Sequence, residues 1–588
     1  MQQRLREIIR HLSEPIDEGE DKVTTLEDAI KQNVGHGMTI HLGGQPSAAL
    51  RQLLRQFWGQ DPRFVLVGTI PFPYATSIVY CGMASKVITS AYQATTYGPS
   101  IYPNRLGSTM ALRQNTETEN WSLYSLEQRL MAGALGVGFM PTKSIIGSNM
   151  AEENKGSFRV IADPFDRSRK EGIVKALVPD LSLVHGCVAD RYGNTILPLP
   201  YGDAIWGPRA SRNGVVVTVE KIVSTDFIRN YPGLVKLPGY LVKSVCLAPL
   251  GAHPHGMVNP EVKGVEGYDA DWEFLDHYAQ AASTAKTLDA WLKEWVVDCP
   301  AQEDYWRKLG NDRVLFLKKK AHRGNWKDDL GSVLNTISTS EQCSTSEMMV
   351  IAAARAIKEK VVRNGYRTML AGAGAPELAA CLAYHWLRKE GYGIDLLWGL
   401  GRIGPIPLPG QTNPMGVGHT LTSKVLTDIA EIYGVVVGGR NARCISVLGA
   451  MQIDRFGNIN NSRVGQLSVG SGGAGDAINA NETLVIVKHL PDRIVDRVPY
   501  VTCPGDRVKT LVSSMGIFRK VGEDKEFTLT TCIPSVQLTT VDEQARAVRE
   551  RCNWDLKIAD DLTELSPPTA EELLWLRLFH SGSQVMAE

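Results

Sequence analysis

No run of about 18 apolar residues occurs in the chain, so no membrane-spanning helix is expected. Charge of one sign is also missing: 63 basic and 63 acidic residues give a formal net charge of zero. Without a basic field to gather phosphates or an anionic surface, neither nucleic acid nor membrane is an expected partner. The opening MQQRLREIIRHLSEPIDEGEDK lacks the uncharged apolar core of a secretory signal. The ten cysteines stand singly, with no CxxC pair, which is the pattern of reduced thiols and places the chain in the cytoplasm. HExxH, GxSxG and a Cys-His nucleophile signature are absent, so neither a zinc nor a serine or cysteine hydrolase follows from these residues.

What the chain does contain, it contains nearly twice. Residues 188–194 read VADRYGN and residues 452–458 read QIDRFGN, each after an apolar run. LGGQP at 42–46 and GAGAP at 372–376 each follow a strand-like run and precede an alanine-rich helical stretch. The Asp-Arg-aromatic-Gly-Asn elements read first as hairpin turns, Gly-Asn supplying positive φ and Asp accepting backbone hydrogen bonds. No catalytic role is assigned to Asp190 or Asp454. At about 150 residues per unit, 588 residues suggest about four units, which two large domains also satisfy. Apolar content of 43% and charged content of 21% suit a chain with a full core. Strand-like runs (RFVLVG, GVVVTVE, KSVCLAPL) alternate with helical ones (SLYSLEQRLMAGALG), so the expected class is α/β: two similar open domains with mostly parallel sheets. Residues 269–297 read as one long helix or two, and the polar stretch 300–343, with Lys318–Lys320 followed by Asp328 and Asp329, as a linker. Ser344 and Glu347 have capping-box spacing before the next helix. The divisions drawn are 1–310, a linker at 311–343, and 344–588.

Three motifs bear on chemistry. Gly372 and Gly374 form half of a dinucleotide fingerprint, but the third glycine position holds Glu377, so a Gly-Pro turn permitting close approach of a backbone or ligand is the better reading. His253-Pro-His255 has no clustered acid or thiol at ligand spacing, and no metal is expected. SGGAG at 471–475 can converge successive N–H groups into a nest for an anion or developing oxyanion; a flexible surface loop is the equal alternative.

Together, DAIKQNVGHGMTIHLGG, ENWSLYSLEQRLMAGALGVGFMPTKSIIGSNM, LVHGCVADRYGN and CLAPLGAHPHG in the first half resemble the α subunit of family I CoA transferases of the glutaconate type. STSEMMVIAAARAIKEKVV, GAGAPELAACLA, VLGAMQIDRFGNINNS and VGSGGAGDAINA in the second resemble the β subunit. The resemblance implies an acyl-CoA enzyme with its site where the halves meet, coenzyme A entering as part of the substrate rather than as a cofactor, and a homodimer of the fused chain. In such transferases a β-subunit glutamate attacks the thioester, because a carboxylate serves as both nucleophile and leaving group. Here LLWGLGRIG (396–404) places Gly399 at that position, with Asp395 and Glu377 out of register. The expected chemistry is therefore C–C bond hydrolysis or decarboxylation of an acyl-CoA without a glutamyl-CoA intermediate. CoA transfer and a catalytically silent acyl-CoA-binding protein are the alternatives. The resemblance further suggests Glu119 as general base, with a helix-start glutamate as its plain alternative. Gly472, Gly473, Ala474, Gly475, Gly372, Gly374 and Arg402 are the expected substrate, CoA and oxyanion contacts. Loops 93–108 and 405–419 are expected to shape the acyl pocket.

Overall fold

A computed structural model describes the chain except residues 14–18, 70–72, 92–115, 329, 336, 410–415, 466, 535–539 and 581–588. Its apolar runs become two mostly parallel sheets that share one strand order in their parallel part. In the first half, β1 (Thr39–Gly43) lies between β2 (Phe64–Gly68) and β5 (Leu181–Asp190). β3 (Ala84–Thr89) and β4 (Glu117–Asn120) extend one side, β6 (Val215–Val223) and β7 (Val242–Leu247) the other. In the second half, β8 (Thr368–Ala371) lies between β9 (Asp395–Trp398) and β10 (Cys444–Gly449), and β11 (Glu482–Val487) and β12 (Val508–Ser513) follow. The order β7-β6-β5-β1-β2 thus recurs as β12-β11-β10-β8-β9, every pair parallel. β5 is buried along its whole length, as a strand covered on both faces must be, and this explains its continuous apolar sequence.

The repeated turns fold alike to the level of single hydrogen bonds. Asp190 Oδ1 accepts the N–H groups of Tyr192 (3.0 Å) and Asn194 (2.9 Å), and Oδ2 the side-chain amide of Asn194 (2.8 Å). Asp454 Oδ1 accepts those of Phe456 (3.0 Å) and Asn458 (2.9 Å), and Oδ2 the side-chain amide of Asn458 (3.0 Å). Asn194 Oδ1 then accepts the Gly239 N–H, and Asn458 Oδ1 the Gly505 N–H. Each turn reverses its strand into an antiparallel pairing, so the expected hairpins form.

Four helices matter for the site. α1 (Ser47–Gln56) and α4 (Ala375–Lys389) follow the two Gly-Pro turns. α2 (Leu123–Ala134) begins at the Ser122 cap, and α3 (Thr345–Asn364) at the capping box of Ser344 and Glu347. Residues 272–297 form two helices, Trp272–Ala281 and Ala285–Leu292, the second running into a π-helical turn. The polar stretch beyond them carries helices Gln302–Leu309 and Asn311–Lys320. There Tyr305 is buried under the Arg51 guanidinium, 3.7 Å from its ring centroid, and its hydroxyl lies 2.6 Å from His253 Nδ1. His253 also meets Asp271, so it belongs to a packing network. Among the described residues no helix is long and apolar enough to cross a membrane.

Candidate active site at the junction of the halves

The carboxyl ends of β8, β9 and β10 open onto one cavity of about 520 Å³. The chain leaves β8 for β9 on one side and returns to β10 on the other. Such a reversal splays the loops apart and makes a crevice for a ligand. Leu370–Ala373, Trp398–Leu400 and Leu448–Met451 supply its walls, the glycine-rich loop 469–474 its roof, and Ala91 and Leu123 of the first half its far side. Asn461 braces the floor, accepting the Met451 N–H and donating to the Gly449 carbonyl, both at 2.8 Å.

The glycine-rich loop belongs by sequence to the second half but is held by the first. Its Gly472 N–H donates to the Ser90 carbonyl (2.8 Å), and its Gly472 carbonyl accepts the Leu123 N–H (3.1 Å). Asp476 Oδ1 accepts the Ser122 hydroxyl (2.6 Å) and Oδ2 the Tyr124 N–H (2.9 Å), so one carboxylate ties the loop to the start of α2. Burial pushes Asp476 up to about 6, against the lowering effect of Ser122, Ser144 and Tyr124. The Ala474 N–H is spent on the Ser471 carbonyl, while that of Gly473 has no acceptor among the described residues. Of the expected nest, then, Gly473 is the amide best placed to receive an anion, and Gly475 packs against Ser122 outside the cavity lining.

At the end of β9 the geometry explains why residue 399 carries no side chain. A Cβ built on Gly399 would overlap the Tyr433 hydroxyl and stand 3.0 Å from its Cζ. A Cβ on Gly473 would overlap the same hydroxyl and stand 2.9 Å from Cζ. The phenol oxygen is therefore pinched between two glycines and occupies the volume where a side chain at 399 would begin. Tyr433 rides on a π-helical turn, Glu431–Val437, a local distortion frequent at functional sites. Burial, with Asp476 and Cys444 nearby, pushes its phenol well above the usual value, so the hydroxyl stays protonated. Sequence reading singled out neither Tyr433 nor Asp476 as a site residue.

The other expected residues divide. Gly372 and Arg402 line the cavity, and Gly374 takes a positive φ of 86° at the cap of α4 behind it. Arg402 donates from Nε to Thr420 Oγ1 (2.6 Å) and also lines a smaller chamber of about 120 Å³ between the halves, together with Gln45, Thr69, Asp203, His255 and Thr420. Glu119, at the end of β4, does not line the cavity. Its Oε1 meets Arg129 Nη1 (2.6 Å) and Trp121 Nε1 (2.8 Å), and its Oε2 meets Lys86 Nζ (2.6 Å). Burial alone would raise this carboxyl, but Arg129, Lys86 and Trp121 outweigh it and hold it low. A carboxylate so paired is a weak base, so the general-base role expected of Glu119 gains no support from its surroundings. Asp395 pairs with Lys424, and Glu377 lies buried 3.3 Å from His419; neither lines the cavity. Loop 93–108 lies outside the described residues, as do residues 410–415 of the second expected pocket loop.

The comparisons with known proteins agree with this architecture. The Coenzyme A transferase family profile matches residues 23–248. One of the two subunits of glutaconate CoA-transferase from Acidaminococcus fermentans is 29% identical over 323 residues, covering 50% of this chain and 94% of its own length. The other kind is matched through 3-oxoadipate CoA-transferase of Pseudomonas knackmussii, whose second subunit is 30% identical over 260 residues, covering 40% of this chain and 92% of its own length. The crystal structure of the acyl-CoA transferase YdiF from Escherichia coli O157:H7, in a thioester complex with CoA, shares the fold: TM-score 0.64 at 14% identity, over 94% of this chain and 97% of that one. With both kinds of subunit matched along one polypeptide, the chain belongs to the coenzyme A transferase family, as an acyl-CoA enzyme with its subunits fused.

Proposed function

We propose that the chain decarboxylates an acyl-CoA whose carboxylate stands β to the thioester carbonyl, or is borne by the γ-carbon of an α,β-unsaturated thioester, with no glutamyl-CoA intermediate. One observation carries this reading: among the described residues, the cavity lining holds two cations and no carboxylate or imidazole. Arg402 and Arg493 are its charged groups there, Tyr433 the other ionisable group, and the nucleophile position is Gly399. An anhydride with the protein needs a carboxylate at the thioester, and hydrolytic C–C cleavage needs a base for water. Decarboxylation needs neither. The C–C bond breaks, its electron pair moves onto the thioester oxygen as an enolate, CO2 leaves, and one solvent proton restores the C–H bond. Arginine suits the recognition of the substrate carboxylate, since its planar fork matches two oxygens. A volume of about 520 Å³ is within the usual range for a small-ligand site.

CoA transfer is the second reading, favoured by the activities that the curated relatives' names state. Incubation with glutaconyl-CoA and malonyl-CoA, followed by mass spectrometry, separates the two. Expected are CO2 and the CoA ester shortened by one carbon, with no CoA passed to labelled acetate. Inactivation by borohydride that depends on acyl-CoA, with the adduct mapped to a carboxylate, would defeat the proposal.

A further inference from the structure

We propose that the Tyr433 hydroxyl is a catalytic group, donating a hydrogen bond to the thioester oxygen as that oxygen becomes an enolate. The assignment rests on the decarboxylation reading for its reaction but on independent geometry for its place. The hydroxyl stands at the end of β9, where a side chain on residue 399 would begin, and faces the cavity together with the Gly473 amide. It has no hydrogen-bond partner among the described residues, although the tyrosine is 5% exposed. An O–H so enclosed stabilises whatever acceptor reaches it far more than it would in water.

The surroundings also decide what this phenol does not do. Burial beside Asp476 disfavours the phenolate, so Tyr433 is a poor nucleophile and keeps its proton. The enolate carbon therefore takes its proton from water, and Tyr433 begins and ends the cycle as O–H. A neutral acid held in an apolar pocket to donate to an enolate oxygen is an established use of a raised pKa. Gly399 and Gly473, which pinch the oxygen, carry no side chains that would compete for its proton.

The test uses the full chain and the non-reacting probe crotonyl-CoA, labelled with 13C at the thioester carbonyl. On binding to the wild type, the carbonyl stretch should move to lower wavenumber. In Tyr433→Phe that shift should fall by at least half, to what the Gly473 amide alone supplies, while the dissociation constant stays within about threefold, because the ring remains. Loss of one such donor should slow CO2 release from glutaconyl-CoA roughly 100- to 1000-fold. Gly399→Ala, whose methyl would displace the phenol, should reduce the shift to the same extent. A shift in Tyr433→Phe equal to that of the wild type overturns the assignment, as does CO2 release that is measurable in the wild type and equal in the variant, or no shift in saturated wild type. If the shift depends on Tyr433 but no CO2 forms from glutaconyl-CoA or malonyl-CoA, the decarboxylation reading fails and the hydrogen bond stands.

Discussion

The two halves share a frame and differ at the one place where the frame ends. The register of the ladders makes the comparison position by position. His41 pairs with Ser182 and Val67, and Leu370 pairs with Ser446 and Leu397. Ser182 and Ser446 precede Asp190 and Asp454 by the same interval, so Val67 matches Leu397, and two residues on Thr69 matches Gly399. In the first half the residue there has a side chain and uses it: the Thr69 N–H and hydroxyl both donate to Asp203 Oδ2, at 3.2 and 2.6 Å. In the second the side chain is gone and a phenol enters from another segment. The Thr69 carbonyl accepts from Ser90, whose own carbonyl accepts the Gly472 N–H, so the saturated strand end buttresses the open one. One half has become the scaffold for the other's cavity.

The largest expected effect tests whether the frame is shared in energy as well as in shape. Asp190 and Asp454 are both buried, and each holds two backbone N–H groups and one side-chain amide of its own turn, Asp454 also accepting the Val498 N–H at 3.4 Å. Alanine at either position strands those donors, and hydrogen bonds to a charged acceptor contribute about 1.5–3 kcal/mol each. Asp190→Ala and Asp454→Ala should each destabilise the chain by about 3–5 kcal/mol, the lost increments not being additive. Guanidinium midpoints give the cost, and amide exchange shows which half loosens. A loss confined to one of the two variants would mean that the turns are alike only in outline.

That frame was legible in the sequence because it is local. Asp-Arg-x-Gly-Asn fixes a turn through its own side chains, and Ser344 with Glu347 caps α3 within four residues. The cavity was legible only in part. Gly399, Arg402 and the glycine-rich loop announce themselves by register and composition. Tyr433 sits in EIYGVVVGG, where nothing in the local pattern says that a distant strand end will come to meet its hydroxyl. Asp476 reads as a turn residue, because its partners Ser122 and Tyr124 lie in the other half. Residues 300–343 read as a solvated linker because few apolar positions (Tyr305, Val314 and Leu317 among them) carry the burial of two helices that are otherwise charged.

The halves also tie down their buried aspartates with opposite signs. Burial would raise Asp271, but Arg313 and His253 outweigh it and hold its carboxyl below the usual range. Its contribution is therefore present above the unfolded value near 3.9 and is lost as pH falls through the depressed folded value. Among the described residues Asp476 has only neutral donors, and burial pushes it up to about 6. Its contribution is full below the unfolded value and is lost as pH rises through about 6, an amount on the order of 2–3 kcal/mol. Unfolding free energies measured from pH 4 to pH 7 should thus fall more steeply with pH in the wild type than in Asp476→Asn. Identical slopes would place the Asp476 proton elsewhere.

The smallest effect is the most specific to the difference between the strand ends. If the phenol excludes a side chain at 399, the cost of adding one must depend on Tyr433. Gly399→Ala should destabilise by about 1–3 kcal/mol, as overpacking of a filled core does. Combined with Tyr433→Ala, which opens the slot, the added methyl should cost little, giving a coupling of about 1 kcal/mol or more. Thr69→Ala shares no contact with Tyr433 that would transmit such a term, and its cost should add to that of Tyr433→Ala within about 0.5 kcal/mol. Additive behaviour at Gly399 as well would mean that the phenol moves aside at no cost. Residue 399 could then carry a longer side chain with Tyr433 in place, and its being glycine would no longer be explained by the volume that the hydroxyl fills.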